Sequence, residues 1–240
     1  MAQMAGTSGA KPKPREERAS IFPARQRSKV TKDLGRITEN AVFLNIPYDQ
    51  RFRSLYLAYI AGLVHLGFLP RVTLGLPSGA RRLDKISALI ESCRYSIHDL
   101  SRVGIDRNPP FATPRFNMPF ELGLAVAWER ANPTRHTWFV FEEKNYRIQK
   151  SLSDINGTDP QIHGGIVSGV LRELSNIFRR TRDQPALPEL TSTYHTISRR
   201  LPRILADRGA ATPYEAQVFQ DLCYEAKVAA DSLMLLKGSR

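Results

Sequence analysis

From residue 41 onward the chain alternates between short apolar runs and longer stretches of helical spacing, and this alternation limits the fold most sharply. Ala41-Val42-Phe43-Leu44-Asn45-Ile46, ended by Pro47, predicts a buried strand. Between Gln50 and Gly67 the apolar residues Phe52, Leu55, Tyr56, Tyr59, Ile60, Leu63 and Val64 fall at helical intervals. A strand over 70–74, a helix through Leu83, Ile86, Leu89 and Ile90, and a strand over 94–100 follow. Pro109, Pro110 and Pro114 predict an irregular loop over 101–118. Next come a helix over 119–130, a strand over 137–141, a short helix over 145–153, a turn over 156–160 and a helix over 166–180. The pair strand–helix recurs four times. Such a chain is expected to form a parallel sheet covered on both faces, a flavodoxin-like doubly wound α/β domain. Helical stretches over 190–206 and 213–236, broken by Pro202 and Gly209, predict a C-terminal helical appendage.

Three regions are expected: a basic leader over 1–37, the α/β domain over 38–184 and the helical extension over 185–240. Residues 1–36 hold nine Lys and Arg against three Asp and Glu, half of the chain's net charge of +12. Residues 37–171 are close to balanced, with 15 Lys and Arg against 12 Asp and Glu, so charge alone does not argue for nucleic acid as the main partner. The arginines at 172, 179, 180, 182, 199, 200 and 203 fit a solvated helix face, and no zinc-finger, RNA-binding-sheet or evident helix-turn-helix motif accompanies them. No run approaches the length of a membrane-spanning helix. Two distant cysteines, Cys93 and Cys223, cannot build a disulfide framework or a four-cysteine zinc site, and residues 1–28 contain no apolar signal-peptide block. A cytoplasmic protein without a resident metal or cofactor is the expectation. Neither Gly-x-Gly-x-x-Gly nor a Walker A motif occurs, which removes support from hydride transfer and ATP hydrolysis.

Ligands of open parallel sheets bind beyond the carboxyl ends of the strands. Strand one ends at Asn45-Ile46-Pro47-Tyr48-Asp49 and strand three at Ser96-Ile97-His98-Asp99-Leu100-Ser101. The loop then leads to Arg115-Phe116-Asn117-Met118-Pro119-Phe120-Glu121. Two-residue periodicity sets Ser96 and His98 on one face of the strand and Ile97 and Asp99 on the other. Glu121, just after Pro119, is expected in the first helical turn, where the dipole favours its ionised form. A fixed carboxylate at a pocket rim suits stabilisation of, or bonding to, a sugar carbon that turns cationic as a base departs. The same position is also favourable for a Glu with no function. Asp99 could bind a sugar hydroxyl, steer Glu121 or merely cap a turn, and His98 could donate a proton or be packed. Tyr48 and Phe116 could sandwich a base or belong to the core. Arg51, Arg53, Arg102 and Arg115 are candidates for a phosphate.

The stretch Cys93-Arg94-Tyr95-Ser96-Ile97-His98-Asp99, a loop, then Asn117-Met118-Pro119-Phe120-Glu121-Leu122-Gly123-Leu124-Ala125 resembles the nucleoside 2-deoxyribosyltransferase-like and TIR-like nucleotide-binding superfamily. The likeness is close over 93–125 and loose, by element order, over 38–180. It implies cleavage of an N-glycosidic bond of NAD or a related nucleotide, with catalytic Glu121 on the anomeric carbon and Asp99 as the matching strand-end acid. It implies that Asn117 opens the binding motif; Tyr48, Asp49, His98, Phe116 and Arg115 are the further substrate-binding candidates, from their place at the strand ends and in the loop before Glu121. Many bacterial relatives act in antiphage defence by depleting NAD or making a signal nucleotide, and others are nucleotide-binding sensors without catalysis. Both remain open, as do a homo-oligomer and a protein partner for the C-terminal helices. The long Pro- and Arg-rich loop before Asn117 and the tail beyond residue 185 depart from the pattern of a minimal transferase.

Overall fold

A computed structural model describes residues 37–74, 81–106, 113–155, 157–179 and 183–238. The predicted leader therefore lies outside the described residues, apart from residue 37. Five parallel strands form the central sheet: β1 (Thr38–Asn45), β2 (Leu69–Arg71), β3 (Cys93–Asp99), β6 (Thr137–Glu142) and β7 (Gln161–Ile162), in the spatial order β2-β1-β3-β6-β7. This is the flavodoxin-like order, so the doubly wound α/β prediction holds. The connection from β1 to β2 and the step out to β3 run to opposite sides of β1. The strand order therefore reverses between β1 and β3, and the crevice there is where such sheets bind ligands.

β1 shows why both faces need helices. Val42 and Leu44 point into one core with Ile97 and Phe141, while Ala41 and Phe43 point into the other with Cys93. Helices α1 (Arg53–His65) and α5 (Val167–Ile177) cover the first face. Helices α2 (Arg82–Ser92) and α3 (Asn117–Ala131) cover the second. A short helix, α4 (Arg147–Ser151), brings Ile148 against Leu100 and Leu122.

The tail is helical as predicted, yet it is no appendage. Helices α6 (Leu187–Arg208) and α7 (Ala216–Gly238) pack on α1, and Leu190, Ile197, Leu201, Val218, Leu222 and Ala226 join the same core as Val42 and Leu44. Every residue of α1 from Leu55 to His65 is buried. An all-round buried helix needs neighbours on all sides, and here they are the sheet, α5, α6 and α7. Small residues permit the close approach: a Cβ added at Gly62 would stand 2.7 Å from Leu174 Cδ1. Pro202 does not break α6, which runs on to Arg208 and ends at Gly209 in the left-handed region (φ 61°). Glu189 accepts a hydrogen bond from the Ala186 N–H at 2.8 Å and closes the start of α6.

Five further details differ from expectation. β1 begins three residues earlier, and β2 is confined to Leu69–Arg71. The loop after β3 contains a small antiparallel pair, β4 (Ile105–Asp106) and β5 (Thr113–Pro114). The fifth strand, β7, was not foreseen, because two residues are too short to show a period. α3 starts at Asn117 rather than Pro119, with Phe120 N–H donating to Phe116 O at 3.0 Å. Proline at its third position costs no intrahelical bond, since the first-turn N–H groups have no partner within the helix.

Candidate functional site

The carboxyl end of β1, the segment after β2, the start of α2 and the start of α3 enclose a cavity of about 90 Å³. Its walls include Asn45, Tyr48, Thr73, Arg82, Arg115, Asn117 and Glu121. At roughly 10–15 Å³ per water-sized site, it has room on the order of a sugar ring. The strand reversal between β1 and β3 puts it where the fold favours a ligand.

Glu121 is the only carboxylate among the lining residues and is 5% exposed. It is the fifth residue of α3, beyond the first turn where it was expected. The expected stabilisation of its anion by the helix terminus is accordingly overturned. Burial instead pushes its pKa up to about 7, against a smaller opposing pull from the Arg82 guanidinium. No hydrogen bond reaches its carboxylate from the described residues. A carboxylate so deprived of water responds strongly to an arriving cation.

Two arginines accompany it. Arg82 donates to Thr73 Oγ1 at 3.3 Å, and Arg115 donates to Asp49 Oδ2 at 3.2 Å. Arg102 approaches the same Asp49 oxygen at 3.4 Å. Asp49 does not line the cavity. Its other oxygen accepts the Arg51 and Phe52 N–H groups, so Asp49 caps a turn and anchors Arg115. The Tyr48 hydroxyl is buried and its pKa is raised by that burial.

Asn117, Tyr48 and Arg115 line the cavity together with Glu121, whereas Asp99, His98 and Phe116 do not. Asp99 is fully buried on the opposite face of β3. Its carboxylate accepts from Tyr59 Oη at 2.8 Å and from the Ser101 N–H at 2.9 Å, is bonded by the Ser101 hydroxyl, and has His163 Nε2 at 3.2 Å. With every lone-pair direction engaged there, it does not face Glu121 across a cleft. The Gly165 N–H donates to His163 Nδ1 at 3.0 Å, so Nε2 carries the proton and faces Asp99 and Ser101. The Ser101 hydroxyl gives its proton to Asp99, and this Ser–His–Asp group is consequently not arranged as a nucleophilic triad.

His98 is also fully buried, and burial pulls its pKa down to about 3, helped by His136. A neutral, enclosed imidazole is no proton donor to a ligand, which corrects that expectation. Phe116 is 69% exposed and away from the lining, so no aromatic sandwich forms. The Tyr48 ring is taken up by Tyr214 and Tyr56, at centroid distances of 5.6 and 6.2 Å. Of the other phosphate candidates, Arg51, Arg53 and Arg102 stay outside the lining. Sequence reasoning missed Arg82 and Thr73. Only the strand order could have pointed to them, because the segment after β2 reaches the site by lying beside β1. Cys93 is a buried small residue, as expected.

Among the described residues no group of three or more His, Cys, Asp or Glu is arranged to hold a metal ion. No described helix is long and apolar enough to cross a membrane. No protein-family model, no curated protein and no solved structure matches this chain.

Proposed function

We propose that this chain cleaves the N-glycosidic bond of NAD or a related nucleotide, with Glu121 as the reacting carboxylate. The observation that carries the reading is a single buried carboxylate in a sugar-sized cavity at the strand reversal, accompanied by two arginines. In the reaction the bond between the anomeric carbon and the base nitrogen breaks, and its electron pair leaves with the base. The carbon becomes cationic. The desolvated Glu121 anion stabilises that charge or bonds to the carbon, and water or a second nucleotide then supplies the new oxygen substituent. Arg82 and Arg115 hold the phosphate end through charge-assisted hydrogen bonds. Acting on NAD, such an enzyme would serve as an effector that depletes the cofactor, as in antiphage defence.

The test is release of free nicotinamide from NAD by the purified full-length protein. Wild type is expected to release it, and Glu121→Gln to lose at least two orders of magnitude in rate. Equal rates would remove Glu121 from the mechanism.

One observation favours a second reading, a nucleotide sensor without turnover. Asp99 and His98 are both committed to interior hydrogen bonds, which leaves no second acid among the cavity's lining residues. Calorimetry separates the two: saturable nucleotide binding with unchanged ligand after prolonged incubation supports the sensor.

A further inference from the structure

A chain of buried hydrogen bonds runs from the interior of β3 to the cavity wall, and its direction follows from chemistry alone. It begins at the Cys93 carbonyl, which can only accept. His136 Nδ1 lies 2.9 Å from that oxygen and must carry a proton. In a neutral ring, His136 Nε2 then accepts, and its partner at 2.9 Å is Ser96 Oγ, which donates. Ser96 Oγ accepts in turn from His98 Nε2 at 3.0 Å. His98 Nδ1 is left as an acceptor, and Asn45 Nδ2 donates to it at 3.0 Å. The same Asn45 nitrogen donates to the Met118 carbonyl at 3.1 Å, a second acceptor-only group. Both partners therefore demand the nitrogen of the Asn45 amide. Ser96, His98 and His136 are each no more than 1% exposed, and burial keeps both imidazoles neutral.

The amide cannot flip without setting its oxygen against two acceptors. Asn45 lines the cavity, and its amide oxygen has no hydrogen-bond partner among the described residues. We propose that Asn45 is a ligand-reading residue, held by the Ser96–His98–His136 relay so that its amide oxygen offers the cavity a fixed acceptor for a sugar hydroxyl. The inference rests on the nucleotide reading above and narrows it. The ligand is a nucleotide whose sugar carries a free hydroxyl, and an analogue without one forgoes the hydrogen bond to this fixed acceptor. Asn45 would touch the ligand, whereas Ser96, His98 and His136 are positioning residues that act through it.

The test compares adenosine 5′-monophosphate with 2′,3′-dideoxyadenosine 5′-monophosphate by calorimetry on the full chain. A general loss of structure weakens both ligands alike, so the ratio of their affinities isolates hydroxyl reading. Wild type is expected to favour the ribose form by about tenfold. Asn45→Ala is expected to bring the ratio close to one. Ser96→Ala breaks the relay without touching the cavity and is expected to give a ratio between those two. The wild-type and Ser96→Ala ratios decide the matter even where Asn45→Ala fails to fold. An Asn45→Ala protein that keeps the tenfold preference, or a Ser96→Ala protein that keeps it in full, would overturn the inference. Equal wild-type affinity for both ligands would overturn it and leave nucleotide binding standing. A wild type that binds neither would overturn the inference together with the reading beneath it.

Discussion

Glu121 joins a functional claim to a thermodynamic one. Its pKa stands near 7 in the folded protein and in the ordinary Glu range once unfolded. Between those values the folded state binds more protons than the unfolded state, so stability falls as pH rises through that window. Fully ionised, the side chain costs about 3 kcal/mol of folding free energy. Glu121→Gln is accordingly expected to resist urea better than wild type at pH 8 and to match it near pH 4. A constant difference across that range would show that burial does not govern this carboxylate. A substitution that stabilises the fold while abolishing turnover is the signature of a residue kept for chemistry. Arg82 works against the burial, and its loss would carry the Glu121 pKa above 7.

At the scale of elements, the junction between β7 and α5 leaves no room for a side chain at Gly169. A Cβ added at Gly169 would lie 2.0 Å from the His163 carbonyl oxygen, which no rotamer change can relieve. Gly169→Ala is expected to cost more than about 2 kcal/mol in urea unfolding, because backbone itself must move. An unchanged midpoint would mean that α5 can slide freely along β7. Most elements were legible because their apolar periods are long and clear: α1, β3 and β6 lie within a few residues of where the pattern placed them, and β1 only begins three residues earlier. β7 escaped because a strand of two residues has no period. The start of α3 differs because a proline marks the first helical position in the sequence pattern, yet it fits anywhere in the first turn, here third. That shift moved Glu121 out of the dipole's reach and reversed the expected direction of its pKa. Asp99 was paired with Glu121 on sequence proximity to the strand end. The face it occupies follows from two-residue alternation, but its partners Tyr59 and His163 come from α1 and the segment after β7, which no local pattern reveals.

For the whole molecule, the decisive fact is that α6 and α7 complete the core around α1. Ile197 and Leu222 are fully buried in the cluster that also contains Val42 and Leu44. The tail and the sheet are therefore expected to unfold as one unit, giving a single calorimetric transition. Ile197→Ala and Leu222→Ala should each lower stability by about 2–5 kcal/mol and shift that whole transition. Two resolved transitions, with only one moved by these changes, would restore the picture of a separate appendage.

The Tyr214 hydroxyl bonds the backbone oxygen of Asp49 at 2.5 Å, and the carboxylate of that same Asp49 holds Arg115. One turn of chain thus receives the far end of the polypeptide on its main chain and grips a wall of the hollow with its side group. Whatever tugs on the closing helices tugs on that guanidinium too. A protein docking on the last fifty residues would have a handle on Arg115 without ever approaching it.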